Sequence, residues 1–157
     1  MADGLYESDA LAWSDQQADL LRRLAAGEGV NEAVDWPNVI EEVQDVGRSE
    51  LRSCQSLLRQ ALTHLLKLYA WPAGQATAHR QEEVMNFIDD AETCFAPSMR
   101  QHIDLADLYK RSLKRVRAAT DDAGEPRSLP EICPFALDDL LAPDADVRTL
   151  VMKLGSF

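Results

Sequence analysis

The sequence predicts an all-α protein, an up-and-down helical bundle of about four main helices with short C-terminal helices. Apolar residues recur at spacings of three and four over most of the chain, as on one face of a helix. Nowhere do four or more residues alternate apolar and polar with β-branched or aromatic enrichment, as a strand would require. The 157 residues, 46 % of them apolar and 27 % charged, fit one globular domain spanning residues 1–157.

The first predicted helix runs from about Ser8 to Ala26. Its end is indicated by Gly27 and Gly29, because glycine permits the chain reversal that follows a helix. Its apolar stripe consists of Ala10, Trp13, Gln17, Leu20 and Leu24.

The second predicted helix is the longest. It begins near Asp35, a suitable N-cap residue, and Glu41 and Glu42 complement the positive end of its dipole. Its end is predicted at Trp71 and Pro72, since proline disfavours helical geometry in the residue before it. The stripe runs through Ile40, Val43, Gly47, Leu51, Cys54, Leu58, Leu62, Leu65 and Tyr69.

This stripe carries two expectations about packing. We expect Leu51, Leu58, Leu62 and Leu65 to be buried in the core of the bundle. Glycine inside a helix costs about 1 kcal/mol relative to alanine, so Gly47 indicates either a kink or a close approach by another helix. We favour the close approach.

The rest of the chain predicts two further long helices and two short ones. The third covers about Ala76 to Phe95 and the fourth about Ser98 to Ala119. An exposed loop follows, and short helices are expected at roughly Phe135 to Leu141 and Asp144 to Leu154.

The charge distribution restricts the possible partners. The net charge is −11, which disfavours binding to nucleic acid or to an anionic membrane surface. Residues 1–50 carry 12 acidic and 3 basic side chains. A basic cluster over residues 110–117 has only Tyr109 as an aromatic neighbour, so it resembles a solvated face more than an RNA site.

The cysteines and the hydropathy pattern indicate the compartment. Cys54, Cys94 and Cys133 are odd in number and widely spaced, so neither a disulfide framework nor a zinc ribbon is expected. No signal-peptide core follows Met1, and no apolar run approaches the length of a membrane span. We therefore expect a cytoplasmic protein that neither spans nor binds a membrane.

The chemistry-bearing side chain of most interest is His64. A metal site within its own helix is excluded, because Glu50 lies 14 residues earlier and therefore about 21 Å away. A site between helices remains open, in which His79 with Glu82 or Glu83 meets His64 or His102. The simpler alternative is a bundle-edge histidine whose imidazole hydrogen-bonds a neighbouring helix. We expect no cofactor.

Three stretches of the chain together resemble a known family. They are Leu5 to Asp9 with Trp13, Asn38 to Val43 with Gly47 to Glu50 and His64 to Lys67, and Leu129 to Phe135 with Leu137, Leu140 and Leu141. This pattern is similar to family 29 of the domains of unknown function, small bacterial proteins. The resemblance covers about residues 5–142 and leaves 143–157 as a C-terminal extension. It departs in the third helix, where the family implies Ser-Trp and Gln-Arg pairs.

The resemblance implies an all-helical domain and supplies no activity. It draws attention to six polar residues of the second helix, which equally suit inter-helix ion pairs. These candidate site residues are Glu41, Glu42, Arg48, Glu50, His64 and Lys67.

Two functions of different classes follow as hypotheses. The favoured one is a non-catalytic interaction or regulatory module whose acidic helical surface meets a protein partner through an apolar patch. The alternative is a metal-dependent or acid–base enzyme with its site around His64. We also expect a homodimer, because the long stripe with Trp36, Leu57 and Leu68 offers more apolar surface than one small bundle covers.

Overall fold

A computed structural model of the protein describes residues 4–156. These residues form helices joined by turns, and none of them lies in a β-strand. The all-α class is thereby confirmed. The helices are α1 Leu5–Ser8, α2 Ala10–Ala25, α3 Trp36–Ala70, α4 Thr77–Cys94, α5 Leu105–Arg117, α6 Leu137–Leu141 and α7 Val147–Leu154, with 3₁₀ turns at Asn31–Ala33 and Pro97–His102.

The chain divides into two compact units, an N-terminal unit up to Ser49 and a C-terminal unit from Glu50 onward. The single-domain assignment stays a prediction. Over the part of the chain that the structure describes, no helix is long and apolar enough to cross a membrane.

The N-terminal unit is organised around Trp13. The predicted first helix is observed as α2, which begins at Ala10 because the Asp9 carboxylate accepts a hydrogen bond from the Ala12 amide at 3.0 Å and so caps the helix. The Trp13 ring lies against the Tyr6 ring, with centroids 4.8 Å apart. Its indole N–H donates to the Asp35 carboxylate at 3.0 Å, which fixes the start of α3 against α2.

Helix α3 runs without interruption through Gly47. A Cβ at Gly47 would meet nothing within 4 Å among the described residues. The close approach of another helix expected at this glycine is therefore wrong for the chain by itself. Of the four residues predicted to be buried in the core, Leu58, Leu62 and Leu65 are fully buried. The prediction is wrong for Leu51, which is only half-buried because it lies near the start of the C-terminal unit.

The C-terminal unit packs α4 and α5 on the second half of α3. Helix α4 is antiparallel to α3, since Cys54 contacts Ala91 while His64 contacts Phe87. Helix α5 is held by Ser112, which donates to the carbonyl of Arg59 at 3.0 Å. The short connections at Pro72 to Ala76 and Phe95 to Asp104 make this an up-and-down arrangement.

The predicted fourth helix, in contrast, is broken. Pro97–His102 forms a 3₁₀ turn, and α5 begins only at Leu105, where the Asp104 carboxylate accepts from the Asp107 amide at 3.0 Å. The two short C-terminal helices are confirmed as α6 and α7. Leu140 and Leu154 from these helices are fully buried, so the C-terminal segment contributes to the core.

Candidate functional site

The six candidate residues divide along α3. Glu41, Glu42, Arg48 and Glu50 lie on its first half and are exposed, whereas His64 and Lys67 lie on its second half and are half-buried.

Glu42 and Arg48 show two kinds of contact. The Tyr6 hydroxyl donates to the Glu42 carboxylate at 2.6 Å, and this hydrogen bond raises the pKa of Tyr6 to about 12. Arg48 pairs with Asp45 of its own helix, with Nη1 and Oδ1 2.9 Å apart. Arg48 therefore forms a contact within one helix, whereas Tyr6 and Glu42 join two elements of the N-terminal unit.

An open cavity of about 720 Å³ lies within the N-terminal unit. Its wall includes the carboxyl-bearing residues Glu7, Glu32, Asp35 and Glu41. The Asn38 amide and the Trp13 indole donate to Asp35 and hold the pKa of its carboxyl below the usual range. The cavity is thus lined by anionic groups.

A row of apolar side chains is exposed on the first half of α3. Ile40 is 55 % exposed, Val43 69 % and Val46 67 %. They lie three residues apart and so follow one side of the helix. We call them the α3 row; Ile40 and Val43 belong to the apolar stripe predicted from the sequence, which is buried only farther along the helix.

The second half of α3 carries a polar cluster of a different kind. The Arg80 guanidinium of α4 donates to the Asp121 carboxylate, with Nη2 and Oδ2 2.6 Å apart. The two side chains are only 13 % and 7 % exposed. The guanidinium carbon also lies 6.0 Å from the centre of the Trp71 ring. Arg80 is therefore held between Trp71, the residue directly after α3, and the turn that follows α5.

His64 and Lys67 lie beside this pair. The His64 ring is 5.5 Å from the Phe87 ring, centre to centre. Its Nδ1 is buried without a hydrogen-bond partner among the described residues. The hydrogen bond to a neighbouring helix expected at His64 is therefore not formed at this nitrogen.

The charges in the cluster shift both pKa values. Burial, together with the charge of Lys67, lowers the pKa of His64, and the carboxylate of Glu83 opposes that shift. Burial and the charge of Arg80 lower the pKa of Lys67. The imidazole is thus favoured in its neutral form, next to a half-buried ammonium group.

Sequence reasoning missed Arg80 and Asp121, which are 41 residues apart. One indication was available at Arg80, because it lies four residues before Val84 and eight before Ile88, on the apolar side of its helix. An arginine at such a position needs an acceptor from elsewhere in the fold. Asp121 shows no comparable pattern, since it precedes a turn in an acidic loop.

The proposed meeting of histidines and glutamates is realised only in part. His79 Nε2 lies 3.8 Å from a Glu83 carboxylate oxygen, one turn farther along α4. His102 lies in the turn before α5, where its carbonyl accepts from Gln55. Within residues 4–156, no group of three or more histidine, cysteine, aspartate or glutamate side chains is arranged to hold a metal ion.

The cysteines are buried or half-buried thiols. Burial raises the pKa of Cys54 to about 12, and neighbouring Cys94 adds to the shift. Burial also raises the pKa of Cys133, whose Sγ lies 3.6 Å from the Phe135 carbonyl oxygen. A raised pKa keeps a thiol protonated, which makes it a poor nucleophile.

Comparison with known proteins decides the family. The family model described as "Domain of unknown function DUF29" matches residues 5–145. The chain belongs to this family. The crystal structure of an α-helical protein of unknown function from Rhodospirillum rubrum is similar, with a TM-score of 0.72 and 28 % identity over 95 % of this chain and 96 % of that one. No curated protein matches.

The three stretches that carry the DUF29 resemblance occupy distinct places in the fold. The first stretch and the start of the second meet in the N-terminal unit, through Tyr6 and Glu42. The end of the second stretch supplies His64 and Lys67 to the polar cluster. The third lies on the core of the C-terminal unit, where the Pro130 carbonyl accepts from the buried Tyr109 hydroxyl at 2.6 Å.

Proposed function

We propose that this DUF29 chain is a non-catalytic interaction module that binds a basic amphipathic helix of a partner protein through the α3 row. The observation that carries the proposal is the exposure of Ile40, Val43 and Val46 on one side of a helix. Apolar side chains at this spacing form a ridge against which a second helix can pack.

The charge of the N-terminal unit supports a basic partner. Residues 1–50 carry 12 acidic and 3 basic side chains. Glu41, Glu42 and Asp45 lie on the same half of α3 as the row. Carboxylates beside an apolar row attract a helix whose own apolar face is edged by lysine or arginine.

The size of the row supports a short segment over a second copy of the chain. The exposed fractions of the three side chains correspond to roughly 300 Å² of surface, well below the ~800 Å² that each partner contributes to a standard interface. Leu68, one of the residues behind the homodimer prediction, is buried within the chain itself. A homotypic contact would also bring two acidic units together.

The experiment uses a fluorescein-labelled peptide of leucine and lysine designed as a basic amphipathic helix, titrated with the protein and followed by anisotropy. We expect saturable binding that weakens about tenfold in the variant V43D. The new carboxylate would lie against the apolar face of the peptide helix, where no cation pairs with it. The variant L11D is the matched control, since Leu11 is 73 % exposed on α2.

A peptide of the same composition but scrambled order separates helix recognition from charge attraction alone. Equal affinity for both peptides, or equal losses in V43D and L11D, would overturn the proposal. Light scattering of the free protein tests the homodimer, and a dimer that dissociates in V43D would show that a second copy occupies the row.

The acid–base enzyme is a second candidate, supported by one observation. The neutral His64 imidazole has a buried, unpaired Nδ1 beside the ammonium of Lys67. For the metal-dependent form, elemental analysis of protein purified without a histidine tag is the test. Stoichiometric zinc, manganese or iron that is lost in His64→Ala would support the enzyme, whereas metal-free protein would count against that form.

A further inference from the structure

We propose that Arg80 and Lys67 bind a phosphate group at the surface of the C-terminal unit, with His64 beside it. Three buried side-chain nitrogen or oxygen atoms among the described residues lack a hydrogen-bond partner. Two of them, Arg80 Nη1 and His64 Nδ1, belong to this one cluster. An acceptor supplied by a ligand would satisfy Arg80 Nη1, and it would satisfy His64 Nδ1 in the tautomer that carries its proton on that nitrogen.

The antiparallel packing of α3 and α4 brings the donors to one place. Trp71 lies opposite Arg80, and His64 lies opposite Phe87. Lys67 lies on α3 between His64 and Trp71, the residue directly after the helix, about one helical turn from each. Its half-buried ammonium group is close enough to His64 and Arg80 for its charge to act on His64 and for the charge of Arg80 to act on it.

The charge at this place is positive. Lys67 is acted on by the charges of Arg80, Arg115 and Asp121, so three cationic groups share one carboxylate. Glu83 is the second carboxylate near His64. Asp121 uses its Oδ2 on Arg80 Nη2 and its Oδ1 on the Ala123 amide, which leaves Arg80 Nη1 without an acceptor.

A phosphate group matches these donors better than a smaller anion does. Its several oxygens accept from the planar fork of an arginine and from a lysine ammonium at the same time. Arg80 is already oriented by Asp121 and by Trp71, so little side-chain freedom is lost on binding. The same site would take inorganic phosphate or a phosphate monoester.

The experiment follows the three histidines of the chain by ¹H–¹³C NMR, with His64 assigned from the variant H64Q. Inorganic phosphate and glycerol 3-phosphate are titrated separately, and sodium chloride at matched ionic strength serves as the reference. We expect a saturable shift of the His64 resonance with phosphate and none at His102, which lies in the turn before α5. A response to inorganic phosphate alone identifies the free ion as ligand, and a response to both includes the ester.

The variant K67M should weaken the phosphate affinity roughly tenfold or more, because one charge-assisted hydrogen bond is lost. K67R should largely restore it. The matched control is K110M, which removes an exposed cation from α5. Circular dichroism identifies any variant that fails to fold, and the wild-type titration alone remains decisive in that case. The absence of a saturable His64 shift, or equal losses in K67M and K110M, would overturn the proposal.

Discussion

Replacing His64 with leucine should make the protein more stable. The substitution removes a buried Nδ1 that has no hydrogen-bond partner and keeps an apolar side chain against Phe87. An unsatisfied buried polar group costs about 1–3 kcal/mol, and the half-buried ring favours the low end, about 1 kcal/mol. For a chain of this size such a gain raises the melting temperature by roughly 2–4 °C.

The control variant is His79→Leu. It gains the same helix propensity, a few tenths of a kcal/mol, but His79 is 71 % exposed and loses no buried nitrogen. Thermal and urea unfolding are measured for both variants in phosphate-free buffer. If His64→Leu is destabilised while His79→Leu is unchanged, Nδ1 has a partner in solution and the reasoning fails.

The same substitution should change the pH dependence of stability. Burial and Lys67 lower the pKa of His64 in the folded protein, and Arg80 and His79 act in the same direction against Glu83. The unfolded chain, with a pKa near 6.5, then binds a proton more readily than the folded chain. The contribution of neutral His64 to the free energy of unfolding is fully present above about pH 6.5. It is lost as the pH falls below that value, because the unfolded chain then takes up a proton that the folded chain does not. The advantage of His64→Leu should therefore be larger at pH 5 than at pH 7.5.

Two further substitutions test the packing and the buried ion pair. Leu62→Ala should lower the free energy of unfolding by about 2–5 kcal/mol, because Leu62 is fully buried, whereas Leu11→Ala should change it by less than about 0.5 kcal/mol; urea unfolding measures both. Asp121→Asn should lower the melting temperature clearly, since it leaves Arg80 without a charged partner, and Asp138→Asn should not, since its pair with Arg100 is exposed. Equal effects of the two asparagine variants would refute the buried pair.

Periodicity predicted most of the C-terminal unit. The spacing of Leu58, Leu62 and Leu65 follows one side of a helix, and all three are buried. The same rule failed within the predicted fourth helix. Asp104, which caps α5, lies within an apparently continuous pattern, and only local hydrogen bonding reveals the interruption.

The candidate site was predictable only where its residues share a helix. His64 and Lys67 are three residues apart and stand out as one motif, but Arg80 and Asp121 come from other elements. Their pairing is a tertiary contact, which sequence spacing does not encode. The exposure of the α3 row was also unforeseen, since Ile40 and Val43 fit the same stripe as the buried leucines.

The unpaired atoms of the polar cluster contrast with the rest of the C-terminal unit. Ser112 is fully buried and Tyr109 almost so, and each hydroxyl donates to a backbone carbonyl. The same packing thus satisfies those buried hydroxyl donors but leaves Arg80 Nη1 and His64 Nδ1 without partners. Leucine at position 64 would remove one of these costs without disturbing the helix. Sequences depart from such local optima mainly at functional sites. The unpaired nitrogens of Arg80 and His64 are therefore the common basis of the stabilisation predicted for His64→Leu and of the phosphate site proposed at Arg80 and Lys67.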